Sequence, residues 1–542
     1  MVVLPGGIVI SGGGAGIGGG KMEICYWAVV PYTLADGTAG VLRFTTAAVP
    51  PFLPAWFGRG SGGFDPAAHE GEPWDPVLIE PANVEIGLWS DATRGMGEVG
   101  GGALVIANAD GAYNFLHGAA VAEIEVRAGS GRELAWSECR PLARLLAGPP
   151  EVALSAASPS RVTIPVRDRR ELLSRLSGSS LAGTGGVEGV AARKGQSRPL
   201  AFGDLTGANV PPLPLGSGIY QAHDGPLPAA PSALYLRGGP AGLVRTGDFP
   251  GAALVSASLT AGQYCTDLAR GLVRVGGNPN GALTLDMQGD AAGGYADTVP
   301  ALLRRVLLRL GEPAERIGAS LSAGQAARVG LYIGAEADAA ASVEELCRSV
   351  MGWLVPDAAG VWQFGTWAPP VGGAGLMLGP DEILSLDAAP WGFDVPLAEV
   401  SVLWGRNYAP MGENDIPASL REGAGADPAR VEYLTQEWRR AVWRSPDNAA
   451  RWGDAAPKIE VSTALRSEAA AAELADRWGA CFGVPRRSFR VAVAMTDAAM
   501  ALPLGGVAAI DYPPAGISGL FRLVRVRPTA PRLGQMQMQF WG

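Results

Sequence analysis

This sequence is short of the residues on which most active centres are built. Five cysteines, Cys25, Cys139, Cys265, Cys347 and Cys481, lie far apart, are odd in number and show no C-x-x-C spacing. A disulfide framework and a zinc ribbon are therefore not expected. Histidine is scarcer still. His69, His117 and His223 fall in separate segments, none of them in H-E-x-x-H or beside a cysteine, so no metal site is indicated and each is expected to serve structural hydrogen bonding. No block of five like charges occurs, and 43 Lys and Arg against 52 Asp and Glu leave a formal charge of −9, which argues against a nucleic-acid surface. No basic residue precedes Lys21, and no apolar run approaches the roughly 18 residues of a membrane helix. The expectation is a soluble protein made in the cytoplasm, with neither secretory signal nor membrane segment.

What is abundant is glycine (77) and proline (43) in a chain of 542 residues with only 7% aromatics. That density interrupts long helices and excludes a coiled coil or helical bundle. At roughly 100–200 residues per domain, several compact units are expected. The fold class read from this pattern is mainly β with α+β parts: a multidomain chain of small barrel-like or sandwich-like units plus a few short helices. Expected divisions are a Gly-rich segment over 1–21, β-rich units over 22–160 and 161–297, an α+β unit over 298–395, and a C-terminal α+β or barrel-like unit over 396–542.

Short strands punctuated by turns are expected over 22–32, 41–46, 83–89, 103–108 and 162–166, with a turn at Asn108-Ala109-Asp110-Gly111. Asp168 is placed as the cap of a short helix reaching Leu176, and 177–187 as a Gly/Ser loop. Val299, Leu302, Leu303, Val306, Leu307 and Leu310 repeat as one face of a helix ended by Gly311. A second helix is expected to start at Ser342 with Glu345 closing a capping box, and to run into a hairpin over 353–364. A third, capped by Ser467, should reach Cys481. Strands are expected again at 488–493, 507–512, 520–526 and in the alternating run Gln535 to Phe540.

The motifs that carry chemistry elsewhere fail here on their context. Gly14-Ala15-Gly16-Ile17-Gly18-Gly19 satisfies G-x-G-x-x-G, but a strand rather than a helix follows it, and Gly20-Lys21 lacks the Ser or Thr of a P-loop. Gly178-Ser179-Ser180-Leu181-Ala182 is not a nucleophile elbow. The carboxylate pairs Glu344/Glu345 and Asp168/Glu171 are read as helix N-terminal charges rather than as an acid and a base. Of 15 tryptophans, Trp27, Trp89, Trp353, Trp362, Trp367, Trp404, Trp438, Trp443 and Trp541 lie on expected strands or their edges. Packing is preferred to a sugar-stacking platform. No cofactor and no catalytic residue is nominated.

One long block is distinctive: Lys194-Gly195-Gln196-Ser197-Arg198-Pro199-Leu200-Ala201-Phe202-Gly203, then Asn209-Val210-Pro211-Pro212, then Tyr220-Gln221-Ala222-His223-Asp224-Gly225-Pro226. With Leu42 to Thr46, Glu80-Pro81-Ala82-Asn83, Ala107 to Gly111, Leu434 to Arg439, Leu504 to Val507, Tyr512-Pro513 and Phe540-Trp541-Gly542, it resembles the baseplate-hub and tail-tip proteins of tailed phages, prophages and gene-transfer-agent-like particles. The resemblance spans nearly the whole chain, but its motifs are turns and loops. The Gly-rich start has no counterpart in the pattern.

That resemblance implies a structural virion protein and not an enzyme. It implies a ring, trimeric in expectation, at the end of a siphophage-like tail, joining the tail tube to a central fibre or spike and closing the DNA channel before infection. The implied partners are further copies of the chain, tail tube or distal tail protein, tip fibre or spike protein, tape measure protein, and DNA passing through without sequence-specific binding. A trimer would carry three times the −9 charge, which would repel DNA from any wall it lines. The alternatives are a receptor-binding tip protein that contacts host glycans and, third, a tail-borne cell-wall hydrolase. Asn209, Pro211, Tyr220, His223 and Asp224 are the interaction candidates, in an ordered inter-domain loop or at a subunit contact.

Overall fold

The computed structural model describes residues 24–46, 74–82, 84–89, 98–99, 102–130, 136–153, 160–167, 169–277, 281–322, 327–393, 395–423, 425–528 and 534–542. The Gly-rich segment 1–21, His69, Asn83 and the Asp168 cap lie outside the described residues. The architecture is mostly β and multidomain, with several sheets and few helices.

The first sheet orders its strands Ala39–Thr45, Ile24–Thr33, Glu123–Ser130, Arg140–Ala147, Arg161–Arg167, Gly102–Ala107 and Leu78–Pro81, with Glu151–Ala153 paired off the fifth. A unit boundary was expected at 160/161, yet Arg161–Arg167 is an inner strand of this sheet, with Val162 opposite Ile106 and Ile164 opposite Leu104. Alternation reveals that Val162, Ile164 and Val166 share a buried face; it does not reveal which sheet supplies the partner. The expected strand at 83–89 shortens to Ile86–Gly87. It pairs on one side with its sequence neighbour Glu98–Val99 and on the other with Arg525 and Val526, near the far end of the chain.

Two five-stranded sheets form the middle region. One runs Gly239–Pro240, Ala233–Leu236, Leu283–Gln288, Leu200–Val210, Gly330–Ile333; the other runs Leu213–Gly216, Ile219–Gln221, Leu272–Val275, Gln263–Asp267, Val244–Asp248. The C-terminal sheet orders Leu376–Leu378, Val507–Tyr512, Ile517–Arg527, Gln535–Trp541, Ser488–Ala494 and Ile383–Ala388. Its two end strands are joined by only residues 379–382, so the sheet curls into a half-barrel. Met536, Met538 and Phe540 point into it and are buried, as the alternation of that strand requires. A three-stranded sheet of Arg439–Arg444, Glu399–Trp404 and Lys458–Ser462 stands beside it.

Three helices position these sheets. Helix α1 (Val299–Arg309) buries Val299, Leu302, Leu303, Val306 and Leu307 and stops at Gly311, as its spacing predicts. Helix α2 spans Ala339–Arg348, three residues earlier than expected. Its cap is Asp338, whose carboxylate accepts from the Ala340 N–H at 2.8 Å, while the Ser342 hydroxyl donates back to the Asp338 carbonyl at 3.1 Å. The alanines at 339–341 favour helix strongly enough to carry the start back to the better cap, so the S-x-x-E string lies inside the helix. Glu344 and Glu345 thus sit in its second half, and the dipole account given for them fails. Glu344 instead faces Arg348 at 3.5 Å. The hairpin Gly352–Pro356 and Trp362–Thr366 follows as expected. Helix α3 (Glu468–Phe482) is capped by the Ser467 hydroxyl, which accepts from the Ala470 N–H at 3.3 Å, and it covers the three-stranded sheet.

One continuous apolar core joins the first sheet, α1, α2, α3 and the half-barrel, and a separate core fills the middle region. All nine tryptophans singled out above are buried or half-buried.

Candidate functional site

The distinctive block folds into two polar joints, one against α1 and the other against the arm that runs from 405 to 438 between the strands Glu399–Trp404 and Arg439–Arg444. The block begins at an exposed turn around Lys194, enters the inner strand Leu200–Val210, and returns through Ile219–Gln221. Gly203 is glycine for two reasons: its φ is +73°, and a Cβ there would stand 2.1 Å from the Val329 carbonyl oxygen.

At the first joint His223 is fully buried. Its Nδ1 accepts from the Ala201 N–H at 3.0 Å, and Nε2 lies 3.3 Å from Asp290 Oδ1. Asp290 also takes Arg305 on Oδ2 at 2.7 Å and the Ala292 N–H on Oδ1 at 2.9 Å. One turn further along α1, Arg309 reaches Asp224 Oδ2 at 2.6 Å, and Ser179 gives Asp224 both its N–H (2.7 Å) and its hydroxyl (2.8 Å). Burial alone would push both carboxyls up. For Asp224 the Ser179 donors and Arg309 outweigh it, and for Asp290 His223, the Ala292 N–H and Arg305 do, so both are held below the usual carboxylate value. Beneath them the buried Gln221 receives Arg198 Nη1 at 2.8 Å and donates to the carbonyls of His223 and Arg270, each at 2.5 Å.

At the second joint Asn209 occupies the left-handed region (φ +53°), which asparagine tolerates better than most residues. Its N–H donates to Asp286 Oδ1 at 3.1 Å, its Oδ1 accepts from the Thr284 hydroxyl, and its Nδ2 donates to Asn407 Oδ1 and the Ala409 carbonyl, both at 3.0 Å. Asn407 in turn gives Nδ2 to the carbonyls of Tyr433, Leu434 and Gln436. The Tyr433 hydroxyl closes the loop on the Gly207 carbonyl at 2.7 Å. Pro211 accepts from the Tyr332 hydroxyl at 2.6 Å, and Tyr220 is half-buried on the middle core, where burial pushes its phenol up.

The five interaction candidates therefore fall in three places. His223 and Asp224 meet α1, Asn209 and Pro211 lie between the middle region and the arm with the β-strand that holds Tyr332, and Tyr220 lines the middle core. Their partners Arg305, Arg309, Asp290, Asp286 and Asn407 were not singled out from sequence. Only the four-residue spacing of Arg305 and Arg309, on the polar side of a helix whose apolar side was already legible, signals a shared target. A third cluster, also unforeseen, ties the first sheet to the α1 end: Arg144, Arg169 and Arg316 converge on Glu123 at 2.8, 2.7 and 3.0 Å, and Arg169 bridges to the buried Glu312 at 3.0 Å.

Ser179 serves Asp224 rather than His223. No group of three or more His, Cys, Asp or Glu suited to a metal ion occurs among the described residues, nor any helix long and apolar enough to cross a membrane. All five cysteines are buried.

No protein-family model matches the chain, and no curated protein matches it in sequence. Solved structures do match. A tail protein from Neisseria meningitidis MC58 is 10% identical with a TM-score of 0.40, over 95% of this chain and 95% of that one. A chain of the virion of a native gene transfer agent particle is 15% identical with a TM-score of 0.39, over 64% of this chain and 84% of that one. The 43 kDa tail protein of prophage MuSo2 from Shewanella oneidensis is 10% identical with a TM-score of 0.32, over 85% and 93%. All three of these solved structures are tail or virion proteins.

Proposed function

We propose that this chain is a structural protein of a phage-like tail: a hub at the baseplate or tip that forms a ring, trimeric in our reading, between the tail tube and a central fibre or spike. The observation that carries the proposal is the long hub-like block from Lys194 to Pro226, whose polar side chains are built into joints that lock the middle region to α1 and to the arm. A ring that bears load needs its subunits rigid, and directional buried hydrogen bonds supply rigidity. The edge strand Val244–Asp248, which has no second strand partner among the described residues, also suits a protein whose edges are covered by neighbours. Tail tube or distal tail protein, tip fibre and tape measure protein are the proposed partners, and the virion is the proposed location. DNA would pass without specific contact.

We read no catalytic role into the chain, because its buried histidine has both ring nitrogens engaged. The test is mass in solution by light scattering across concentration, followed by imaging of the ring. A mass near three times 55.8 kDa is expected. A strict monomer that also fails to bind tail tube protein would overturn the hub and promote the receptor-binding alternative.

A further inference from the structure

At one end of the three-stranded sheet an arginine is held in place with its donors unengaged. Arg439 opens the edge strand Arg439–Arg444 and stands directly opposite Trp404 in the ladder. Its guanidinium lies 5.1 Å over the ring of Trp404 and 4.7 Å over that of Tyr433, and both of these residues are buried. Stacking of this kind fixes the plane of the group and leaves free the N–H donors, which lie in that plane. The Arg439 side chain makes no ion pair and no hydrogen bond among the described residues. Its neighbours are engaged: Arg440 is paired with Glu460 at 2.9 Å, Arg444 with Glu399 at 2.9 Å, and Arg406 with Glu437 at 3.0 Å.

Arg439 lines a pocket of about 330 Å³ together with Trp404, Arg440, Glu432, Gln436 and Glu468. The sheet, the last part of the arm and the first residue of α3 meet there. The volume is at the lower end of the roughly 300–1,000 Å³ of small-molecule pockets. The carboxylate of Glu432 meets only Gln436 Nε2, at 3.5 Å, and that of Glu468 has no partner among the described residues. Neither carboxylate lies within ion-pair distance of Arg439, although all three side chains line the same space. A wall that keeps a fixed cation apart from two carboxylates is complementary to a molecule carrying both signs. A bare anion would be drawn by Arg439 and repelled by the two glutamates, and a bare cation would meet the reverse.

We propose that this pocket binds a small zwitterion, with a carboxylate on the Arg439 fork and an ammonium group on Glu432 and Glu468. Arginine suits the first role because its planar fork takes a carboxylate through two parallel hydrogen bonds. A free amino acid presents this pair of charges, and so do the free ends of the short peptides on a cell-wall polymer. The pocket recognises what the two share. The site stands whether or not the chain forms a ring.

The experiment is saturation-transfer NMR with calorimetry on the full-length protein. The probes are glycine, γ-aminobutyrate and ε-aminocaproate, which space the two charges differently, against butyrate and butylamine, which carry one charge each. At least one zwitterion should bind roughly tenfold or more tightly than either single-charge compound, and R439Q should remove that advantage. R439K should recover little of it, because an ammonium lacks the fork. The double variant E432Q/E468Q should lose the preference for the zwitterion and bind butyrate more tightly than the wild type does. Arg439, Glu432 and Glu468 are all exposed, so these variants should keep the wild-type melting temperature. Muropeptides with free amino and carboxyl groups form the second arm. Binding tighter than that of the free amino acids assigns the ligand to the wall polymer, and equal or weaker binding assigns it to solution. Zwitterions that bind no better than butyrate, or that bind R439Q as well as the wild type, would overturn the site.

Discussion

Two regions of this molecule are held by opposite means. Where the C-terminal half-barrel meets α3, five tryptophans and Phe482 pack together: Trp89 lies 5.0 Å from Trp367 and 5.8 Å from Trp478, Trp367 lies 4.7 Å from Trp391 and 5.0 Å from Trp541, and Phe482 lies 5.4 Å from Trp478 and from Trp541. Only Trp89 among these indoles is seen to donate, to the Gly352 carbonyl at 3.0 Å; the Nε1 atoms of Trp367, Trp391 and Trp478 have no partner among the described residues. The joint on α1 is built from charges and hydrogen bonds with almost every donor assigned. The first region depends on area and shape, the second on direction. A cluster of rings tolerates a change of ring, whereas a network of fixed donors does not tolerate a change of donor geometry.

The largest expected effect is in the aromatic region. Trp478→Ala should lower unfolding free energy by about 3–5 kcal/mol through lost burial and the cavity left behind, measured by denaturant titration, whereas Trp478→Phe should lose less than half of that. Next comes the α1 joint. Arg305→Ala leaves Asp290 buried without its cation and should destabilise by about 3 kcal/mol; here the conservative Arg305→Lys should recover little, because the shorter lysine stem stops its ammonium short of the point from which Arg305 Nη1 serves both the carbonyl and the carboxylate of Asp290. If Lys restored stability fully, the contrast between the regions would collapse.

A smaller effect separates the regions by pH. Asp224 and Asp290 are held below the ordinary 3.8, so their contribution is complete above that value and is lost as pH falls through their folded-state values. Melting temperature should stay level in this respect down to about pH 5 and then drop, and Asp224→Asn should blunt the drop. The aromatic region should be indifferent to the same titration. The smallest effect is expected at Trp452, which is 37% exposed: Trp452→Ala should shift stability by less than about 0.5 kcal/mol.

The contrast also explains what could be read from the sequence. The Ser467 cap with its alanine-rich sequence marked α3 and the Pro356–Gly360 turn marked the hairpin, while repeating apolar positions made α1 and the Gln535–Trp541 strand legible, because burial writes a period into the chain. Tryptophan as packing was legible for the same reason. Pairings between distant segments carry no such period. That Ile86 would meet Val526, that Arg161–Arg167 would complete the first sheet, or that Asn407 would face Asn209 depends on where whole elements come to lie. Within the site, the block from Lys194 to Pro226 was recognisable as a string, but its partners on α1 and the arm were single residues without a motif. The displaced start of α2 has a local cause: two adequate caps competed, and propensity upstream chose between them.

The pairing of Ile86–Gly87 with Arg525–Val526, reinforced by the Gly534 N–H donating to the Tyr26 hydroxyl at 3.1 Å, sets a schedule for synthesis. A ribosome reads the first of these strands long before the second. At about 5–20 residues per second, the segment bearing Trp89 must wait roughly 20–90 s for its partner. During that interval an indole destined for full burial is exposed on an unfinished chain. The half-barrel therefore cannot close until the strands Ile517–Arg527 and Gln535–Trp541 have been made.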